Sequence, residues 1–305
     1  MEWFRITPER RRELLCSYSA TFDCRKTIEN HAKESLTPRE GYLTNFLGTI
    51  VRTSYFQEIL RGQEGRIESV PVTGNWHACV AEWGACLRAL DLAQSPFTIM
   101  ELGCGWGCWL NNMAVAARNK GFDYRLIGVE GDLDHIDFAK ETFRANDISS
   151  EKLEVHHGIA AATNGTALFP NQKVKSSSWG LEPIFSVSQQ QQQEAVSSGQ
   201  YTALPMLSLQ DVIGTHATID LLHIDIQGGE ATLLENCLDT LLEKVAYIFV
   251  GTHSRKNEKR IKKAFKGLPW KLEIERPAIM KMRITGPVLK TDGVQGWRNM
   301  QLLPN

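Results

Sequence analysis

An α/β fold, a doubly wound and mostly parallel sheet of seven strands, is predicted by three observations. From about Phe97 onward, apolar runs of strand length alternate with longer stretches of helical periodicity. The first passage from strand to helix is a cluster of glycines, the kind of turn that such sheets place against a ligand. The composition is that of an ordinary globular chain, with 42% hydrophobic and 23% charged residues over 305 positions, which excludes disordered and collagen-like classes.

The elements follow in order. FTIMEL, beginning at Phe97, reads as a strand, and LNNMAVAARNKG after the glycines reads as a helix stopped by Gly121. YRLIGVE is the second strand, and DLDHIDFAKETFRAN places Leu133, Ile136, Ala139 and Phe143 on one helical face. KLEVHHGIAAA is the third strand. Residues 171–203, rich in Ser and Gln, read as a long surface insertion. IDLLHIDI is a buried strand, and GGEATLLENCLDTLLEK carries an apolar stripe through Leu233, Leu234, Cys237, Leu238, Leu241 and Leu242. AYIFVGTH, the basic helix NEKRIKKAFKGL, the strand WKLEIER and a last strand near Trp297 complete the domain of residues 96–305. Residues 1–95 lack the alternation and read as a helical cap that serves the substrate or pairs with a second copy, a homodimer arm.

Thirty-four Lys and Arg against 35 Asp and Glu leave a net charge of −1, with no overall basic excess to hold a phosphate backbone, so nucleic acid is not the expected partner. Seven cysteines without a CxxC pair suit reduced thiols in cytoplasm. No apolar run reaches the length of a membrane span, so no membrane partner is expected.

MELGCGWGCW, from Met100 to Trp109, carries the most chemistry. Gly103, Gly105 and Gly107 let the backbone turn tightly and approach a ligand where the next helix offers free N–H groups. Glu130, at the end of the second strand, can accept the hydroxyls of a ribose. The dinucleotide fingerprint GxGxxG would need glycine at 108, where the chain has Cys108, so a nicotinamide dinucleotide fits less well.

ELGCGWG resembles motif I of the class I, Rossmann-like S-adenosylmethionine-dependent methyltransferases, and IDLLHIDIQGGE resembles the hallmark D-L-L-K-I-D-V-E-G-A-E of the FkbM family. LSLQD, GTH and DGVQGWRN are similar to the same family, so the resemblance runs from about Phe97 to the end. It implies S-adenosylmethionine as methyl donor, held by Glu101, Gly103, Gly105, Trp106, Gly107 and Glu130, with Glu101 facing the ammonium. Gly158 and Ile159 lie by position near the adenine, with Trp179 and Gly180 as secondary candidates. It also implies O-methylation of a sugar or natural-product hydroxyl. A peptide or amide nitrogen is the second acceptor class, and a non-catalytic cofactor-binding protein is the rival reading. His223 replaces the family's usual lysine and Gln227 its glutamate, so substrate identity does not carry over with the motif.

Alternate residues of a strand share a face, which puts His223 and Asp225 together, and His253 ends the next strand. His253 is the expected general base, supported by Asp225, which also borders the cofactor. The spacing of Asp225, Glu230 and His253 is not diagnostic of a metal, and none is assigned. Trp76, His77, Glu82 and Trp83 precede the first strand, on a segment that fits a buried helix stripe better than a lid.

Overall fold

The computed structural model describes residues 16–172, 178–283 and 286–304. The first 15 residues of the expected cap and residues 173–177 of the expected insertion lie outside the described residues. Eight strands form the central sheet: β1 (Ser19–Ala20), β2 (Phe97–Leu102), β3 (Tyr124–Glu130), β4 (Leu153–His157), β5 (Leu221–Ile224), β6 (Tyr247–Thr252), β7 (Trp270–Arg276) and β8 (Gly293–Asn299). Their spatial order is β1-β7-β8-β6-β5-β2-β3-β4. The five strands β4, β3, β2, β5 and β6 are parallel, and β8 runs antiparallel to both its neighbours. The order reverses between β2 and β5, and such a switch leaves a crevice beyond the carboxyl ends of the strands. This is the expected seven-stranded sheet with a two-residue strand added at one edge.

The helices that pack on it follow from the apolar spacing. Helix α1 (Cys24–His31) crosses α2 (Val80–Leu92) so closely that a Cβ on Gly84 would stand 2.8 Å from the sulfur of Cys24. Helix α3 (Cys108–Asn119) ends at Lys120, where Gly121 takes the left-handed conformation that its φ of 78° requires. Helix α4 (Leu133–Ala145) starts on an Asp132 cap and buries Ile136, Ala139 and Phe143, while Leu133 stays exposed. The long leucine stripe is two helices, α5 (Glu230–Asn236) and α6 (Leu238–Lys244), broken at Cys237. Helix α7 (Arg255–Ala264) is capped by Ser254 and buries Ile261 while its lysines face outward.

The N-terminal region differs from the helical cap expected of it. Besides α1 and α2 it holds a three-stranded sheet of Tyr42–Thr44, Ile50–Arg52 and Arg66–Ile67, strands too short to leave a period-2 pattern. Helix α2 lies inside the main core, with Trp83, Leu87 and Leu90 fully buried. The insertion is an arm. Strand Gly165–Pro170 pairs antiparallel with Tyr201–Ser208, and the glutamine run is a helix, Gln189–Ser197, closed by a Ser188/Gln191 capping box with no buried residue. Cys24, Cys79, Cys86, Cys104, Cys108 and Cys237 form no disulfide, and no helix among the described residues is long and apolar enough to cross a membrane.

Candidate functional site

The parallel register lines up the carboxyl ends of the central strands. Glu101 of β2 is the partner of His223 on β5, and His223 is the partner of Phe249 on β6. Beyond these ends the chain turns at Gly103, Gly105 and Gly107, all three with positive φ. At Gly103 a Cβ would lie 2.1 Å from the carbonyl oxygen of Asp225, so only glycine lets the two loops touch. Gly107 serves packing instead. A Cβ there would strike the ring of Phe143 at 2.6 Å, and Gly107 borders neither cavity described below.

Glu130 sits where expected. One carboxylate oxygen accepts the Gly105 N–H at 2.7 Å and the other the Asp132 N–H at 2.8 Å, which fixes the carboxylate at the rim of a small slot of about 90 Å³. Gly158 and Ile159 wall the same slot, together with Gly131, His135, Phe169 and Trp179. A Cβ on Gly158 would meet the Pro205 carbonyl at 2.8 Å, so this wall too depends on a bare backbone. The Trp179 ring lies parallel to His135 at 4.0 Å and stacks on Phe56 at 4.8 Å, which carries the arm back across the mouth.

Glu101 and Trp106 both border the larger cavity described below, beside Gly103 and Gly105, and each is also tied into the packing around it. The Glu101 carboxylate accepts the N–H groups of Trp109 at 3.3 Å and Leu110 at 3.1 Å, and His223 Nδ1 lies 3.1 Å away. It therefore holds the start of α3 by taking up two of its first N–H groups. Burial raises its pKa, against the opposing pull of His223 and the two amides. The Trp106 indole points away from the Glu130 slot into an aromatic group with Phe56 and Trp76.

That group walls a second cavity of about 820 Å³. Phe56, Trp76, Trp106, Trp109, Trp179 and Phe249 supply its apolar side, and Glu82, Asp225, His253 and Asp292 its polar side. The two cavities share Gly103, Gly105, Trp179 and Asp225, so the glycine turn and one carboxylate form the partition between them.

Asp225 and His253 converge as expected, with Oδ1 and Nε2 3.3 Å apart. Their protonation is the reverse of the expectation. Burial lowers the basicity of His253, but Asp225 and Glu230 outweigh it and push the imidazole up to about 10, so it is an imidazolium at neutral pH and takes no further proton. At Asp225 burial works upward, and the His253 contact prevails to hold the carboxyl below its ordinary range. Asp225, whose side chain is 43% exposed toward the cavity, is thereby the ionised carboxylate of the pair.

Both departures from the family pattern prove to be partners of acids. His223 pairs with Glu101, and the Gln227 amide donates to Asp225 at 3.0 Å, where a glutamate would repel it. Glu230, fully buried, accepts the N–H groups of Ile226 and Gly228 and the Asn257 amide, which shapes the loop after β5. Sequence reasoning missed Phe56, His135, Phe169 and Asp292. Asp292 opens the string DGVQGWRN, which points to the family and not to a site; the other three lie in no motif, and their only signal is the fold that brings an N-terminal segment, an arm and a C-terminal turn to one rim.

Comparison with known proteins gives the family of the chain. Residues 98–276 match the family described as "Methyltransferase FkbM domain". A curated protein of Jannaschia sp. (strain CCS1), named "Putative methyltransferase", is 40% identical over 264 residues, covering 86% of this chain and 94% of that one. Among solved structures, the human methyltransferase 10 domain containing protein is 12% identical with a TM-score of 0.39, covering 81% of this chain and 95% of the other. The C-terminal domain of precorrin-6Y C5,15-methyltransferase from Rhodobacter capsulatus is 11% identical with a TM-score of 0.39, covering 74% and 92%.

Proposed function

Because the chain belongs to the FkbM methyltransferase family, we propose that it moves the methyl group of S-adenosylmethionine onto a hydroxyl of a small-molecule acceptor such as a saccharide or natural product. The observation that carries this reading is the partition: a slot walled by Glu130 and a large aromatic cavity meet at Gly103, Gly105 and Asp225. The residues fit such a donor. Glu130 retains lone pairs for ribose hydroxyls beyond the two amides it holds, and Gly103 and Gly105 leave room for close backbone approach. When bound, the cofactor supplies an electrophilic methyl group on a cationic sulfur.

The chain's own contribution is placement and one proton. Flat aromatic walls with carboxylates between them suit an acceptor ring bearing hydroxyls, because the ring faces stack while the hydroxyls donate. Asp225 stands nearest the partition and receives the hydroxyl proton; His253 and Gln227 keep it ionised until then. Holding the acceptor oxygen in line is the larger effect. Calorimetry with S-adenosylmethionine, S-adenosylhomocysteine and NAD is the first test, and binding of NAD alone would end the reading. Methyl transfer from labelled S-adenosylmethionine to a panel of saccharides and peptides tests the acceptor. Asp225→Ala is expected to lose turnover while cofactor still binds, and turnover equal to the parent protein's would remove Asp225 from its role.

A further inference from the structure

The larger cavity is charged with one sign. The described residues that line it include five carboxylates, Glu58, Glu82, Glu101, Asp225 and Asp292, and no lysine or arginine. Its histidines offset little of this. Burial pushes the His77 imidazole down to about 3, so it stays neutral, and His223 is committed to Glu101 at 3.1 Å. His253 is shared between Glu230 at 2.8 Å and Asp225 at 3.3 Å, and a neutral His253 would only enlarge the surplus. Arg276, buried and outside the lining, stands 3.7 Å from Glu82. Asp292 is left over. Its side chain is 56% exposed, and its one ion-pair partner among the described residues is His253, at 4.0 Å and already engaged. Burial raises the Asp292 pKa, and Asp225 and Glu82 add to the rise against the pull of His253 and Arg276.

The apolar side of the same cavity is a continuous aromatic wall. The Phe56 ring meets Trp76 at 4.9 Å, Trp179 at 4.8 Å and Trp106 at 6.0 Å. Ring faces and carboxylates both attract positive charge, and low-dielectric walls focus the field between them. We propose that the molecule entering this cavity is a cation, a hydroxylated compound with a protonated amine, of the amino-sugar class, whose ammonium pairs with Asp292 while its ring lies on the aromatic wall. The backbone holds Asp292 in place for this. It is one residue before Gly293, the cross-strand partner of Thr252, and the Arg276 guanidinium donates to its carbonyl at 3.0 Å. A protonated amine has no lone pair, so it anchors the acceptor and leaves the methyl group to a hydroxyl. Asp225 keeps its separate duty toward the hydroxyl proton. That the bound amine is methylated rests on the methyl-transfer reading; the preference for a cation does not.

The test is calorimetry of the full chain, with and without S-adenosylhomocysteine, which lacks the sulfonium charge. The probes are glucosamine, galactosamine and mannosamine, each beside the neutral sugar in which a hydroxyl replaces the amine, and glucuronate as the anion. At least one amine is expected to bind about ten- to a hundredfold more tightly than its neutral sugar, the scale of one hydrogen bond to a charged group, with glucuronate weakest. Asp292→Asn, at an exposed position, should keep the thermal transition and bring the amine down to the affinity of the neutral sugar, with S-adenosylmethionine binding unchanged. Amines bound no more tightly than neutral sugars in the parent protein would overturn the proposal. So would an Asp292→Asn variant that loses affinity for S-adenosylmethionine instead, since the surplus charge would then serve the donor. A preference for amines in a chain that binds no S-adenosylmethionine would keep the cation site and sink the methyl-transfer reading. Methyl transfer to a neutral sugar with no preference for amines would do the opposite.

Discussion

Gly103 has little latitude, since a Cβ would fall 2.1 Å from the backbone carbonyl of Asp225. With a φ of 77° added to the clash, Gly103→Ala is expected to cost about 2–5 kcal/mol of folding stability, read from urea unfolding. Glu130 makes a subtler prediction. Glu130→Gln keeps its shape but turns an NH2 toward either the Gly105 or the Asp132 N–H, so one amide loses its acceptor. Affinity for S-adenosylmethionine by calorimetry should fall about ten- to a hundredfold, the scale of one lost charged hydrogen bond. Asp220 predicts a pH effect. Its carboxylate accepts the Thr98 N–H at 2.8 Å, yet burial, opposed by that bond, pushes it up to about 6. The folded chain therefore holds the proton more tightly than the unfolded one, and stability falls as pH climbs from about 4 to about 6. Asp220→Asn keeps an acceptor and removes this slope, gaining about 1–2 kcal/mol at neutral pH after allowance for partial exposure. A denaturation series across that range checks it, and an unchanged slope would reject the assignment.

At the level of elements, the central strands could be read almost to the residue because each is buried on both faces and bounded by turn residues, as in FTIMEL and YRLIGVE. Four features escaped. KLEVHHGIAAA, read as one strand, is Leu153–His157 in the central sheet and Ile159–Ala161 in the small sheet of the arm, parted at Gly158. The break at Cys237 leaves the apolar stripe intact, so periodicity alone cannot show it. The strands at Tyr42 and Ile50 have three residues each, below the length at which alternation can be told from chance. The arm folds back through single contacts of Trp179, a residue that composition assigns to a surface loop. In the site, the glycine turn and Glu130 were legible because their chemistry is local. The role of Glu101 depends on amides eight and nine positions on and on a histidine 122 positions away, and that of His253 on acids 23 or more positions away, which no motif reports. Trp179 is only partly buried, so Trp179→Ala should leave the thermal midpoint nearly unchanged. Cofactor affinity should drop about threefold to tenfold, from stacking worth about 0.5–1.5 kcal/mol. Undiminished affinity would detach the arm from the slot.

Across the whole molecule, residues 16–95 are not a removable appendage. Helix α2 lies in the same core as the sheet, α1 locks onto it through Gly84, and the segment around Phe56 and Trp76 closes the larger cavity. A chain beginning at residue 96 should therefore fail to fold, and the full chain should unfold in one cooperative transition; two separate calorimetric transitions would contradict this. The same construction gives the protein an optical property. Four of its eight tryptophans, Trp76, Trp106, Trp109 and Trp179, face one cavity. Any molecule that enters it displaces water from four indoles at once, so the ultraviolet emission of the unlabelled chain should report occupancy, and each indole exchanged for phenylalanine should silence one share of that signal.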